Sequence, residues 1–163
     1  MNIDPVLLLD YTIWANDRVI NGARRLAPDI LNAPIREGWL SPLGVLVHML
    51  AADRLWLSRW QGVSPDRMLS QDDLPTLDAV VEAWGPLRDE MRAFLAAMGD
   101  PARVVTYHTT RGVEHQHVLW QLILHLFNHN TEHRAQAALA LAMNGVDVGS
   151  LDLITVLREG ASG

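Results

Sequence analysis

Two histidines four residues apart, in His125-Leu-Phe-Asn-His129-Asn-Thr-Glu-His133-Arg134, carry the most legible chemistry of this chain. That spacing puts two side chains on one helix face about one turn apart, so both imidazoles can hold a single divalent ion. Two ligands rarely retain a metal. A third is offered by His48, the only ionisable and the only polar side chain in Pro42-Leu-Gly-Val-Leu-Val-His48-Met-Leu-Ala-Ala52. An imidazole in such surroundings loses hydration and needs a partner to offset the loss. Three histidines from two helices, with a fourth position open, make a reactive site: an ion held by neutral ligands keeps its double charge and lowers the pKa of a thiol, or of water toward ~7.

The elements that must position these residues follow from local signals. Asp4-Pro5 is an N-cap followed by a first-turn proline and opens a helix to about Leu26. Ser41-Pro42 opens a second, apolar almost all round to Ala52 and mixed to Trp60. Gly62 to Pro75 is a connector, and Thr76 begins a third helix to about Met98. Gly85-Pro86 removes a backbone donor inside it and predicts a kink or interruption near Glu82. The β-branched run Val104-Val105-Thr106-Tyr107, a turn at Arg111-Gly112 and a return from Val113 predict a short hairpin near 103–117. A long helix follows from about Val118 to Asn144, ended by Gly145, and Ser150 caps a short C-terminal helix through Arg158. Four long helices and little sheet predict an all-α helix bundle, one domain over 1–163.

Projecting the long helix at about 100° per residue from Leu119, the inner stripe is Leu119, Leu122, Ile123, Leu126, Ala137 and Leu141. His133 falls about 40° from its centre, His129 about 80° and His125 about 120°. His125 and His133 are also about 12 Å apart along the axis, too far to share one ion. The inward pair is therefore His129 and His133. Gln136 and Asn128 offer polar support to such a site, but Asn128 points away from the core. The bland alternative is three core histidines hydrogen-bonded to carbonyls. A second histidine group, His108 with His115 and His117 on the hairpin, also has ligand spacing, though exposed hairpin histidines are commoner. Trp56 and Trp60 read as packing, and Asp53 and Arg54 as an exposed helix edge.

Composition narrows the rest. With no cysteine, thiolate ligands and a cysteine nucleophile are excluded, so nitrogen and oxygen must hold any metal, leaving zinc, nickel, iron or manganese. All thirteen basic residues are arginine, which removes Schiff-base chemistry. A net charge of −6 argues against a nucleic-acid partner. No apolar run reaches the ~20 residues of a membrane span, and Asp4 and Asp10 are unlike a basic signal region, so a cytoplasmic protein is expected.

Several segments resemble one family. Tyr11-Thr-Ile-Trp-Ala-Asn16-Asp-Arg18 is similar to the N-terminal Y-x-x-W-A-N-x-R segment of the DinB/YfiT-like proteins. Leu46-Val-His48-Met-Leu-Ala-Ala-Asp53-Arg-Leu-Trp-Leu resembles their second-helix block, Leu119 through Gln136 their last-helix block, and Asp152 through Arg158 the C-terminal one. The resemblance spans nearly the whole chain in order. It implies a four-helix bundle with a long crossover, carrying one divalent ion, zinc or nickel first, on His48, His129 and His133. Family members with known activity include thiol S-transferases using bacillithiol, mycothiol or glutathione, and a mycothiol-dependent isomerase. A metal-dependent thiol S-transferase or hydrolase acting on a small molecule is thus the leading expectation, with a non-catalytic metal-binding or stress-response bundle as the alternative. The family habit and the number of tryptophans imply a homodimer.

Overall fold

A computed structural model describes residues 4–160. The element order is α1 (Pro5–Ala23), α2 (Pro28–Asn32), α3 (Pro42–Trp60), α4 (Leu77–Ala97), β1 (Val104–His108), β2 (Glu114–Val118), α5 (Leu119–Met143) and α6 (Leu153–Gly160). Three of the long helices start on the caps that the sequence announces. Asp4 accepts from Val6 N at 2.9 Å, Ser41 from Gly44 N at 2.9 Å, and Thr76 from Ala79 N at 3.1 Å, each satisfying a first-turn N–H that has no intrahelical acceptor. Gly145, at φ 75°, ends α5 in the left-handed region that favours glycine.

The long helices form a bundle in which α1 and α3 each pack against both α4 and α5. Consecutive long helices α1 and α3 therefore lie across the diagonal, and the link 24–41, containing α2 against α3, makes that crossing. Two features differ from expectation here. The first helix stops at Ala23 rather than Leu26, where Arg25 N and Leu26 N tighten onto Gly22 and Ala23 carbonyls. The short α2 has no counterpart in the sequence reading, although Pro28 at its first position and Asp29 in its first turn are ordinary start signals.

α4 also corrects an expectation: it is continuous through Gly85-Pro86. Proline's ring normally disfavours helical backbone in the preceding residue by clashing with its Cβ. Gly85 has none, and the carbonyl of Glu82 left without its donor lies on an exposed stretch where water reaches it. The hairpin forms where expected, with Tyr107 opposite His115 and Val105 opposite His117; its return strand runs from Glu114 to Val118, and α5 starts one residue later than predicted. None of the described helices is long and apolar enough to cross a membrane.

The core falls into two clusters. One gathers Val19, Leu43, Leu46, Val47, Leu50, Val80, Ala137 and Leu141; the other gathers Leu9, Leu57, Trp60, Met91, Leu95, Leu119, Leu122 and Leu126. Leu119, Leu122, Ile123, Leu126, Ala137 and Leu141, the inner stripe of α5, are all buried as projected. Gly22 lets α1 approach the chain after α5: a Cβ there would stand 2.6 Å from Val148 Cγ1 and 2.9 Å from Leu141 Cδ1. Gly22→Ala is expected to destabilise the fold by about 1–3 kcal/mol through overpacking, visible as a lower denaturant midpoint at unchanged slope.

Candidate metal centre

The structure brings His48 of α3 together with His129 and His133 of α5: their ligand-capable nitrogens all lie within 4.8 Å of one another. Ring centroids are 5.0 Å apart for His48–His129, 4.5 Å for His48–His133 and 4.3 Å for His129–His133. All three side chains are half-buried, and His125, as projected, is exposed. α1 supplies none of the three. No carboxylate joins the group among the described residues, so its donor set is wholly neutral.

Two details bear on whether a divalent ion fits. The Nε2 atom of His129 is buried with no hydrogen-bond partner. A polar nitrogen removed from water without a partner is costly, and a cation shared with two neighbouring imidazoles would satisfy its lone pair. His133 Nδ1 lies 2.9 Å from Gln136 Oε1. An amide oxygen only accepts, so Nδ1 carries the proton and Nε2 is left free as the ligating atom, the arrangement that orients histidine ligands in metal sites. Gln136 thus supports the site, while Asn128 is exposed and takes no part. Burial, followed by the His133 charge, lowers the pKa of His48; the same causes, with His48 and His125 added, take His129 down to about 4. The residues present fit the group.

The hairpin histidines do not form a second group of three. His115 and His117 share the strand face of Val105 and Tyr107, whereas His108 is paired with Glu114 on the other face, 3.6 Å from its carboxylate. Tyr107 Oη and His117 Nδ1 approach to 3.3 Å.

Behind the histidines lies a polar layer that the sequence reading missed. Asp53, expected at an exposed edge, is 4% exposed: it accepts from Trp84 Nε1 at 2.8 Å and from Asn130 Nδ2 at 2.7 Å. Burial raises its pKa to about 6, against the lowering effects of Asn130, Trp84 and the Arg88 charge. The signals were present. Asp53 is three, four and seven residues beyond Leu50, Met49 and Leu46, which puts it on their face, and Asn130 projects about 20° from Leu119. Arg134, buried beside His133 in sequence, donates to Asn16 Oδ1 at 3.3 Å, Tyr11 Oη at 2.9 Å and Thr131 Oγ1 at 3.2 Å. The Tyr11 hydroxyl in turn donates to the Leu151 carbonyl at 2.8 Å, and Arg18 Nε donates to the Val148 carbonyl at 3.2 Å. The Tyr11–Arg18 segment therefore clamps α1 to α5 and to the C-terminal stretch.

A model of the DinB family matches residues 1–159 of this chain. The chain is also similar to the "Protein DinB" of Bacillus subtilis (strain 168), 20% identical over 145 residues that cover 85% of this chain and 84% of that protein.

The buried carboxylate gives a pH test of the layer. With the folded pKa raised from 3.8 to about 6, the protonated form is favoured on folding. Its stabilisation is complete below pH 3.8 and is lost as pH rises through 6, a change of ~3 kcal/mol between those limits. Urea titrations from pH 4 to 7 should show that fall on top of the other carboxylates. Asp53→Asn, neutral throughout, should remove this contribution to the slope whatever it does to the absolute stability.

Proposed function

The chain belongs to the DinB family, and from that premise we propose that it is a divalent-metal-binding enzyme that transfers low-molecular-weight thiols to small electrophilic molecules. The observation that carries the metal reading is the buried, unpartnered Nε2 of His129 beside two further imidazoles. His48, His129 and His133 would be the ligands of one ion per chain, zinc or nickel first, with iron or manganese as the alternatives that nitrogen donors also accept. When bound, such an ion supplies Lewis-acid chemistry, drawing the proton from a thiol or a water at neutral pH.

The chain's own residues set the conditions for that chemistry. Gln136 holds the proton on His133 Nδ1 and fixes the ring. Asn130 and Arg134, anchored by Asp53 and by Tyr11 and Asn16, hold the α5 segment that presents both of its histidines. The three rings are half-buried, so the group is not wholly sealed from solvent. The chain has no cysteine or lysine, and this reading takes its nucleophile from the small molecule or from water. Support for thiol transfer over hydrolysis comes from the family resemblance alone. A cytoplasmic location and a homodimer belong to the same proposal.

Metal analysis of protein purified without chelator or affinity tag should give one divalent ion per chain. His129→Ala and His133→Ala should lose it, His48→Ala should lose it or hold it in altered geometry, and His125→Ala should keep it. Loss of metal in the His125 variant alone would contradict the ligand assignment.

With loaded protein, conjugation of a thiol to an electrophile such as monochlorobimane should depend on the ion, vanishing on its removal and returning when one divalent species is added back. If fully loaded protein turns over neither thiols nor esters, the reading becomes a metal-binding protein without catalysis.

A further inference from the structure

The hairpin carries a second set of donors, separate from the three-histidine group. His115 and His117 stand two residues apart on β2, so both imidazoles leave the same face of the strand. Across the ladder, Tyr107 of β1 is paired with His115 and is the diagonal neighbour of His117, on that same face. The three rings form a triangle, with centroids 5.9 Å apart for Tyr107–His115, 5.9 Å for Tyr107–His117 and 6.2 Å for His115–His117. His108 takes no part, since it pairs with Glu114 on the opposite face.

These distances suit a shared ion better than a hydrogen bond. Tyr107 Oη and His117 Nδ1 are 3.3 Å apart, whereas a hydroxyl donates best at about 2.7–2.8 Å. Two donors bonded to one metal at about 2.0–2.1 Å, with an angle near 90–110° between the bonds, lie about 2.9–3.4 Å apart. His115 and His117, at 6.2 Å between centroids, fall within the roughly 6.4 Å that two imidazoles on one ion can span. Both side chains are exposed, so small rotations close the triangle and an ion has a way in.

Tyr107 is fixed from behind. It is 7% exposed, the Trp56 ring stands edge-on to it at 5.2 Å, and the Arg59 guanidinium lies 4.9 Å over its ring. Arg59 is itself buried, held 4.7 Å over Trp56 and donating Nη2 to the His108 carbonyl at 3.0 Å. The phenol oxygen is therefore in place before an ion arrives, and only the two exposed imidazoles lose freedom on binding.

We infer that Tyr107, His115 and His117 form a second metal site, of one phenol oxygen and two imidazole nitrogens, and that copper(II) is the ion it takes. Copper(II) stands at the top of the divalent series for such donors and accepts the flattened nitrogen–oxygen geometry that tetrahedral zinc avoids. Binding releases the Tyr107 phenol proton to solvent and leaves the phenolate on the ion. The site shares no ligand with His48, His129 and His133 and does not depend on what those three hold.

The test titrates copper(II) into the full chain carrying His129→Ala and His133→Ala, with free glycine as a weak competing chelator. One equivalent should bind, giving an electron paramagnetic resonance signal split by two nitrogens and a phenolate-to-copper charge-transfer band in the visible. His115→Asn and His117→Asn should each weaken uptake at least about tenfold, since a ligand is worth no less than the groups that orient it. Tyr107→Phe, which keeps the packed ring, should abolish the band and weaken uptake, and His108→Asn should change neither. Should the alanine background not fold, the same variants are read in the otherwise wild-type chain, where the band reports the hairpin alone because the other group contains no tyrosine. Four results would each overturn the inference: no copper retained against glycine, uptake indifferent to both histidine variants, no band, or a band that survives Tyr107→Phe. None of them bears on the first metal centre.

Discussion

A bundle this apolar has little to offer a buried polar group except another one, and five of those it buries collect at one level. Asn16 on α1, Asp53 on α3, the Trp84 indole N–H on α4, and Asn130 and Arg134 on α5 lie between the two apolar clusters of the core. Each bonds a neighbour from a different helix, as in Trp84–Asp53–Asn130 and Arg134–Asn16, while Asn130 Oδ1 is left without a partner. Removing one member strands the others at about 1–3 kcal/mol each, so the layer penalises any rotation or slide of the helices that a purely apolar core would tolerate. The histidine group depends on this. His48 meets His129 and His133 only while α3 and α5 keep the angular setting that joins Asp53 to Asn130.

The layer also explains a division of labour on α5. Projected from Leu119, Asn130 lies near the centre of the inner stripe, His133 and His129 on one flank and Arg134 on the other, about 60° out. The flank with the histidines meets α3; the flank with Arg134 meets α1 through Tyr11 and Asn16. Adjacent residues in sequence thus face different neighbours, and the motif around Tyr11 holds the ligand-bearing helix rather than the ion.

Much of this was legible in the chain because the signals are local. The caps at Asp4, Ser41 and Thr76, the glycine after α5, the alternation around Tyr107 and the angular ranking of His125, His129 and His133 each depend on a few residues and a fixed period. What escaped was of two kinds. Gly85-Pro86 reads as a break when proline is judged alone, and as tolerated once the missing Cβ of the glycine and the exposure of that face are considered together. Asp53 reads as surface because carboxylates usually are; its partners, Trp84 and Asn130, are 31 and 77 residues away, and no local pattern pairs them. Arg59 is of the same kind, since the faces that trap it come partly from β1.

The one-residue interleaving on α5 restricts how this protein can vary. Deleting or inserting a single residue between His129 and Arg134 would turn the downstream part of the helix by about 100° relative to the upstream part. That would break the His129–His133 spacing and turn Arg134 away from Asn16. Length changes inside this stretch therefore damage both faces at once, whereas the 61–76 connector and the hairpin turn at 109–113 can lengthen without disturbing either. Descendants of this sequence should diversify by substitution on the exposed face of α5 and by insertion in the connecting segments, with the helix itself acting as an invariant ruler.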